Sequence, residues 1–252
     1  GIQITPKQLF QHQTIAELAA VATETPLIEA EQGIITGFVP LTPIQHWFFE
    51  QQKANPHHFN QAVLLKVKIE INLIFIEKAL QELLLHHDAL RLRFKHTESG
   101  WEQFHIEPKT EIPFTCFDIS NLTDSQQQNT INNIANQIQI SLNFSTGLVM
   151  RVALFNLGEN QASRLLFVIH HLVIDGVSWR ILLSDLQNAY EQLSQGKVIQ
   201  LPLKTTSFKQ WAEHLQTYAK SEEISNFSPH LSSSKSEELR KDFPNTIATS
   251  EK

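Results

Sequence analysis

Two adjacent histidines, His170 and His171, precede Asp175 in the string HHLVIDGVSWRIL (170–182). An imidazole titrates close to neutrality, so either ring could act as a general base or a general acid. The preceding residues, SRLLFVIH (163–170), are apolar and β-branched, which predicts a buried strand. HHLVIDG then turns, with Gly176 supplying backbone freedom at the bend. Val177, Ile181, Leu182, Leu186, Tyr190 and Leu193 recur at helical spacing and predict a helix over 177–193. The histidine pair is therefore expected at a strand end, ahead of a helix N-terminus with its partial positive charge and free N–H groups.

Neighbouring residues on a strand point to opposite faces. One of the two rings can face a cavity, and the other must be held from behind. Asp175 could orient the loop or an imidazole by accepting a hydrogen bond, or pair with an arginine. An isolated HxxxD also fits a core histidine beside a turn aspartate, with no chemistry at all. The full string favours chemistry, because it resembles the HHxxxDG signature of the condensation-domain superfamily of nonribosomal peptide synthetases. HHLVIDGVSWR is similar to the version found in epimerization domains. That superfamily shares its fold with chloramphenicol acetyltransferase.

The surrounding elements must position these groups. VPLTPIQHWFFEQ (39–51) predicts a helix wedged into the core, with Trp47, Phe48 and Phe49 packed behind Pro43 in its first turn. It also resembles the PIQxWF opening of epimerization domains through Pro43, Ile44, Gln45, Trp47 and Phe48. Ordinary condensation domains open differently, around an Ala-Gln pair. Residues 61–69 alternate like a strand, and Asn72 caps a helix with Leu73, Ile76, Leu80, Leu83 and Leu84 on one stripe. HHDALRLRF (86–94) resembles the superfamily's second motif, RHExLRxxF, at Leu90, Arg91 and Phe94. The resemblance implies that Arg91 ion-pairs with Asp175 and fixes the loop; without it, Arg91 reads as a strand-end surface arginine. A hairpin partner (100–106), a strand (114–117), a polar helix (123–142), a strand (148–156) turned by Gly158 and Glu159, and a helix (207–218) complete the pattern. This order indicates an α/β fold with a mixed β-sheet packed with helices, and the resemblance implies a chloramphenicol-acetyltransferase-like lobe.

Residues 1–22 hold a helix capped by Thr14 with Glu17 three residues on, and resemble the C-terminal end of a peptidyl-carrier (thiolation) domain. No GGxS-type attachment site for phosphopantetheine occurs in the chain. Residues 23–37 read as a linker, 38–220 as the N-terminal lobe of a condensation or epimerization domain, and 221–252 as a serine-rich tail, disordered or truncated. The chain has 252 residues, 41% of them hydrophobic, and can bury a sizeable core. With 20 basic and 26 acidic residues and no long basic run, nucleic acid is not an expected partner. No apolar run suits a membrane span. Cys116, the single cysteine, excludes an internal disulfide and fits a reducing cytoplasm. His57, His58, His86 and His87 lack the i, i+4 spacing of strong metal sites, so no metal is expected.

The resemblance implies epimerization of an aminoacyl or peptidyl thioester. A thioester acidifies the α-proton, but its removal still needs a positioned base and stabilisation of the enolate. By the same resemblance His171 is the catalytic acid or base, while Asp175 and Arg91 orient the loop. His170 is assigned to packing, and Ser178 and Trp179 to shaping the tunnel. Backbone N–H groups after Gly176 could hold the enolate oxygen. No cofactor is expected on this chain; the phosphopantetheine belongs to a partner carrier domain. Inversion needs a second group across the cleft, implied to be a glutamate of a C-terminal lobe, which makes a separate lobe another candidate partner. Neither Glu191 nor Glu213 has a matching context. Alternative readings are a peptide-bond-forming condensation domain and an inactive, truncated remnant or carrier-docking module.

Overall fold

The computed structural model describes residues 2–4, 6–24, 30–51, 53–108, 112–159 and 161–221. In chain order the elements are β1 (Ile2–Gln3), α1 (Pro6–Gln11), α2 (Ile15–Val21), β2 (Thr23–Glu24), β3 (Gly37–Val39) and α3 (Pro43–Glu50). A 3₁₀ turn (Pro56–His58) leads to β4 (Asn60–Lys66), α4 (Leu73–His86) and a second 3₁₀ turn (Asp88–Arg91). Then come β5 (Leu92–Thr97), β6 (Gly100–His105), β7 (Phe114–Asp118), α5 (Asp124–Ile140), β8 (Met150–Asn156), β9 (Arg164–His170), α6 (Gly176–Ser194) and α7 (Phe208–Tyr218). The chain divides into two compact units after Glu213, and all the strands belong to the first. The described part of the second unit, 214–221, holds the rest of α7. No helix among the described residues is long and apolar enough to cross a membrane.

The main sheet has the order β4-β9-β8-β7, with β7 parallel to β8 and the other pairs antiparallel. Its central strand β9 is covered on both faces. Leu165, Phe167 and Ile169 pack with Ile76, Leu80 and Leu83 of α4 and with Trp179, Leu182 and Leu186 of α6. Leu166 and Val168 pack on the other side with Ile131 of α5. A strand sandwiched in this way must be apolar at every position, which is why 165–169 carries no alternation. Edge strand β4 does alternate: Gln61, Val63 and Leu65 are half-buried, whereas Ala62, Leu64 and Lys66 are exposed.

The capping signals act as their chemistry dictates. Thr14 and Glu17 form a reciprocal capping box on α2, and the Asn72 side chain accepts from the Ile74 and Phe75 amides at the start of α4. Two expectations need correction. In α3 only Phe48 is fully buried among the three aromatics; Phe49 is half-buried and Trp47 is 53% exposed, because consecutive helical positions cannot all face one core. The expected linker is also partly structured. Thr23 and Glu24 pair with Ile2 and Gln3, and Gln32 exchanges two hydrogen bonds with the Lys204 backbone. Residues 25–29 and the expected tail from 222 onward lie outside the described residues.

A second sheet, β3-β6-β5, carries an aromatic cluster in which Phe49 stacks on Trp101 at 4.3 Å. Phe144 packs edge-on against Phe94 and Trp101, both at 5.7 Å. The layers therefore stand on two kinds of contact, helix stripes on β9 and aromatic packing beside it. Leu80→Ala should lower unfolding free energy by about 2–5 kcal/mol in urea titration. Leu64→Ala, on the exposed face of β4, should change it by no more than about 0.5 kcal/mol.

Candidate active site

His170 closes β9 and His171 begins the turn that follows. His170 is completely buried. The Phe144 ring lies edge-on at 5.0 Å and that of Phe48 at 6.0 Å. Its Nε2 donates to the Pro56 carbonyl at 2.8 Å, and its Nδ1 accepts the Leu172 N–H at 3.2 Å. A carbonyl can only accept and an amide N–H can only donate, so the ring is the neutral Nε2–H tautomer. Burial, more than any neighbour, pushes its pKa down to about 4. Both nitrogens are spent on backbone groups.

His171 sits differently. Its backbone N–H donates to the Phe59 carbonyl at 2.9 Å, and the Phe59 ring stacks on the imidazole at 5.1 Å and 20°. Nδ1 lies 2.8 Å from the Ile174 carbonyl, so Nδ1 carries the proton. Nε2 faces the Gln61 side-chain amide at 3.2 Å. The ring is half-buried. Two adjacent histidines thus take opposite tautomers, one sealed and one with its Nε2 lone pair turned to a side chain.

Asp175 is the N-cap of α6. Its Oδ1 accepts from the Ser178 backbone N–H at 2.8 Å and from the Ser178 hydroxyl at 2.6 Å. The hydroxyl bond first, then the backbone bond, holds its pKa below the ordinary carboxylate value. Two expectations fail here for one reason. Asp175 is not paired with Arg91, because the carboxylate is committed to its own helix. The Ser178 N–H is likewise taken, so the cap carboxylate occupies the anion position expected for an enolate oxygen. Gly176 is also corrected: it is the first helical residue, its φ is not in the left-handed region, and a Cβ there would meet nothing within 4 Å. The bend does not require glycine at this position.

Arg91 is buried at the C-terminal end of α4. It donates to the carbonyls of Leu84 (2.5 Å), Leu85 (3.1 Å), Ile35 (3.1 Å) and Ile106 (3.3 Å), and pairs with Asp88 at 2.5 Å. A cation against the last carbonyls of a helix is favourable, and the guanidinium fork has donors enough to satisfy them all. Lys204 joins the same carboxylate at 3.2 Å. Arg91 therefore ties β3's approach, α4 and the β5–β6 sheet together, with Asp88 and not Asp175 as its carboxylate partner.

Trp179 is 8% exposed and lies edge-on to Phe167 within the helix–sheet core, while Ser178 serves the cap. The indole Nε1 donates to Gln61 Oε1 at 2.7 Å. Sequence reasoning misses Gln61, which lies 118 positions from Trp179. Its only trace there is an inward place in the alternation of β4. His86, His87 and Asp185 also converge, with potential ligand atoms within 4.8 Å of one another. His87 and Asp185 stand 3.0 Å apart and link α4 to α6, with Lys204 lining the same cavity.

A family model for the condensation domain matches residues 35–230. The chain belongs to the condensation-domain family. Condensation-family domains of nonribosomal peptide synthetases act with carrier domains that bear thioester substrates. A linear gramicidin synthase polypeptide of Brevibacillus parabrevis is 53% identical over 232 residues, covering 89% of this chain and 3% of that protein. Among solved structures, the epimerization domain from the third module of tyrocidine synthetase B superposes with a TM-score of 0.75 and 38% identity, over 82% of this chain and 46% of that one. The first condensation domain of the calcium-dependent antibiotic synthetase gives a TM-score of 0.65 at 19% identity, over 75% of this chain and 45% of that one, a likeness of fold. The chain thus spans less than half of these solved domains. Its mixed sheet and flanking helices are a chloramphenicol-acetyltransferase-like lobe of this condensation-domain family.

Burial of neutral rings sets an acid sensitivity. His170 and His105 both have pKa values lowered to about 4, chiefly by burial, from an ordinary 6.5. Between those values the unfolded chain takes up protons that the folded chain refuses. Folding stability should therefore fall as pH drops from about 6.5 to about 4, with no further loss from these rings below that. Urea titrations across this range should find a slope that His170→Gln partly removes.

Proposed function

We propose that this lobe epimerizes an aminoacyl or peptidyl thioester held on a carrier domain, with His171 as the group that moves the α-proton. The observation that carries the reading is the contrast between the rings: both nitrogens of the buried His170 are held by backbone groups, while the half-buried His171 has its proton on Nδ1 and meets only a side-chain amide at Nε2. In the forward step the substrate takes the place of the Gln61 N–H at Nε2, Nε2 takes the α-proton, and the C–H electron pair moves into the thioester carbonyl as an enolate. A proton returned to the opposite face of the α-carbon inverts the centre, and one returned to the same face restores it.

The epimerization reading, rather than peptide-bond formation, is favoured by two features. The PIQHWF opening of α3 and the VSWR start of α6 resemble epimerization domains. Identity is 38% to the tyrocidine epimerization domain against 19% to the antibiotic-synthetase condensation domain. Neither Asp175 nor Arg91 supplies a reacting group in this reading: Asp175 starts α6 close to His171, and Arg91 closes the end of α4. The second acid is expected from a group outside the described lobe, such as a carboxylate of a C-terminal lobe. The substrate thioester arrives on the phosphopantetheine arm of a carrier domain. Residues 1–22 are read as the end of such a carrier; Leu9, Phe10 and Ile15 are exposed there, an apolar surface suited to carrier-domain packing.

α-Proton exchange in deuterated buffer, on aminoacyl-pantetheine, tests this directly. The wild-type chain should incorporate deuterium at the α-carbon, and His171→Ala should reduce incorporation by about 10²–10⁴-fold, the usual contribution of a positioned base. Equal incorporation by wild type and variant would refute the role given to His171. Chiral analysis of the same samples separates exchange from inversion.

A further inference from the structure

We propose that Gln61, locked by Trp179, is a positioning residue that holds His171 in its Nδ1–H tautomer and keeps Nε2 free of a proton. An indole N–H can only donate, so the Gln61 atom 2.7 Å from Trp179 Nε1 must be the amide oxygen. The amide nitrogen then faces His171, where it donates into the Nε2 lone pair at 3.2 Å. Reversing the amide would set two N–H donors against each other at Trp179 and again leave a mismatch at the ring. On the far side of the imidazole, the Ile174 carbonyl requires a proton on Nδ1. Two independent partners therefore specify the same tautomer.

The lock has consequences for protonation. A proton on Nε2 would confront the Gln61 amide hydrogens, and the amide cannot turn without breaking the indole bond. The anchors are rigid. Gln61 lies on β4 in register with Ile169 of β9, and Trp179 is packed in the helix–sheet core. The other titratable groups around the ring are His170 behind it, His57 near His170, Asp175 at the α6 cap, and Lys53, whose ammonium lies 5.0 Å from the Phe59 ring centre. None of these contacts Nε2 in the described residues, so its immediate partner is Gln61. The meaning of this lock as preparation of a base rests on the function proposed above; the tautomer itself does not.

Two-bond ¹H–¹⁵N correlation spectra of the full chain, labelled with ¹⁵N-histidine, test the proposal. The His171 signal is assigned by its loss in His171→Ala. In the wild type at a pH of about 8, well above the ordinary imidazole value, the expected pattern is a protonated Nδ1 and a bare Nε2. Gln61→Glu places an acceptor and a negative charge at Nε2, and should shift the ring's protonation midpoint upward by about 1–3 pH units. Trp179→Phe frees the amide to rotate and should introduce the Nε2–H tautomer. Thermal unfolding confirms that each variant is folded. A wild-type Nε2–H pattern would overturn the proposal, as would an unmoved midpoint in folded Gln61→Glu. The wild-type spectrum decides the tautomer even if a variant does not fold. If the tautomer is as stated but wild type exchanges no α-proton, the lock stands and the epimerase reading fails; the converse result rejects the lock alone.

Discussion

The placement of β9 between β4 and β8, with helices over both faces, is the constraint on which the site depends. It fixes where the strand ends, and it fixes which of two identical side chains is sealed. His170, the last strand residue, is held by its ladder bond to the Val149 carbonyl and by aromatic rings. One residue later the sheet no longer covers the ring, and His171 meets Phe59, Gln61 and the Ile174 carbonyl instead. The same chemistry in adjacent positions thus acquires different protonation patterns from position alone.

Two buried polar centres support this frame. Around Asp88, the Arg91 and Lys204 cations and the Ile35 N–H are gathered on one carboxylate, while the rest of the Arg91 guanidinium closes the end of α4. Between α4 and α6, His87 meets Asp185. Removing a cation from Asp88 would strand a buried charge, which is why that centre ties its elements firmly even when the pair itself contributes little net stability. Both centres lie at the junctions of elements that carry the site, and neither supplies a reacting group in the proposed chemistry.

Much of the fold was legible because local signals were strong. The unbroken apolar run of β9, the Asn72 cap, the Thr14–Glu17 box and the stripe of α4 each had a direct physical reading. Strand alternation predicts that one of the two histidines is held from behind, and His170 is; His171 lies one residue past the strand, so its environment comes from the turn. What could not be read was which distant groups meet. Resemblance pairs Arg91 with Asp175, yet Asp88, three residues away, and the free carbonyls of α4 are closer claims on a guanidinium. Asp175 reads as a partner for a side chain, but an aspartate directly before a helix is also a cap, and Ser178 completes that cap. Gln61 was invisible as a functional residue because its meaning comes only when β4 pairs with β9 and α6 brings Trp179 over the sheet. Trp179, expected at the tunnel wall, is instead packed in the core with its one polar atom aimed at Gln61.

The central claim is that His171 Nε2, and no other group on this lobe, addresses the α-carbon of the thioester substrate. A crystal structure with a non-hydrolysable aminoacyl-pantetheine analogue tests it most directly. The expected result puts the α-carbon about 3–3.5 Å from His171 Nε2, the distance range of a near-attack geometry, with the carbonyl oxygen directed away from the Asp175 carboxylate. An analogue seated with its α-carbon out of reach of that nitrogen, or against a different side chain, would contradict the claim.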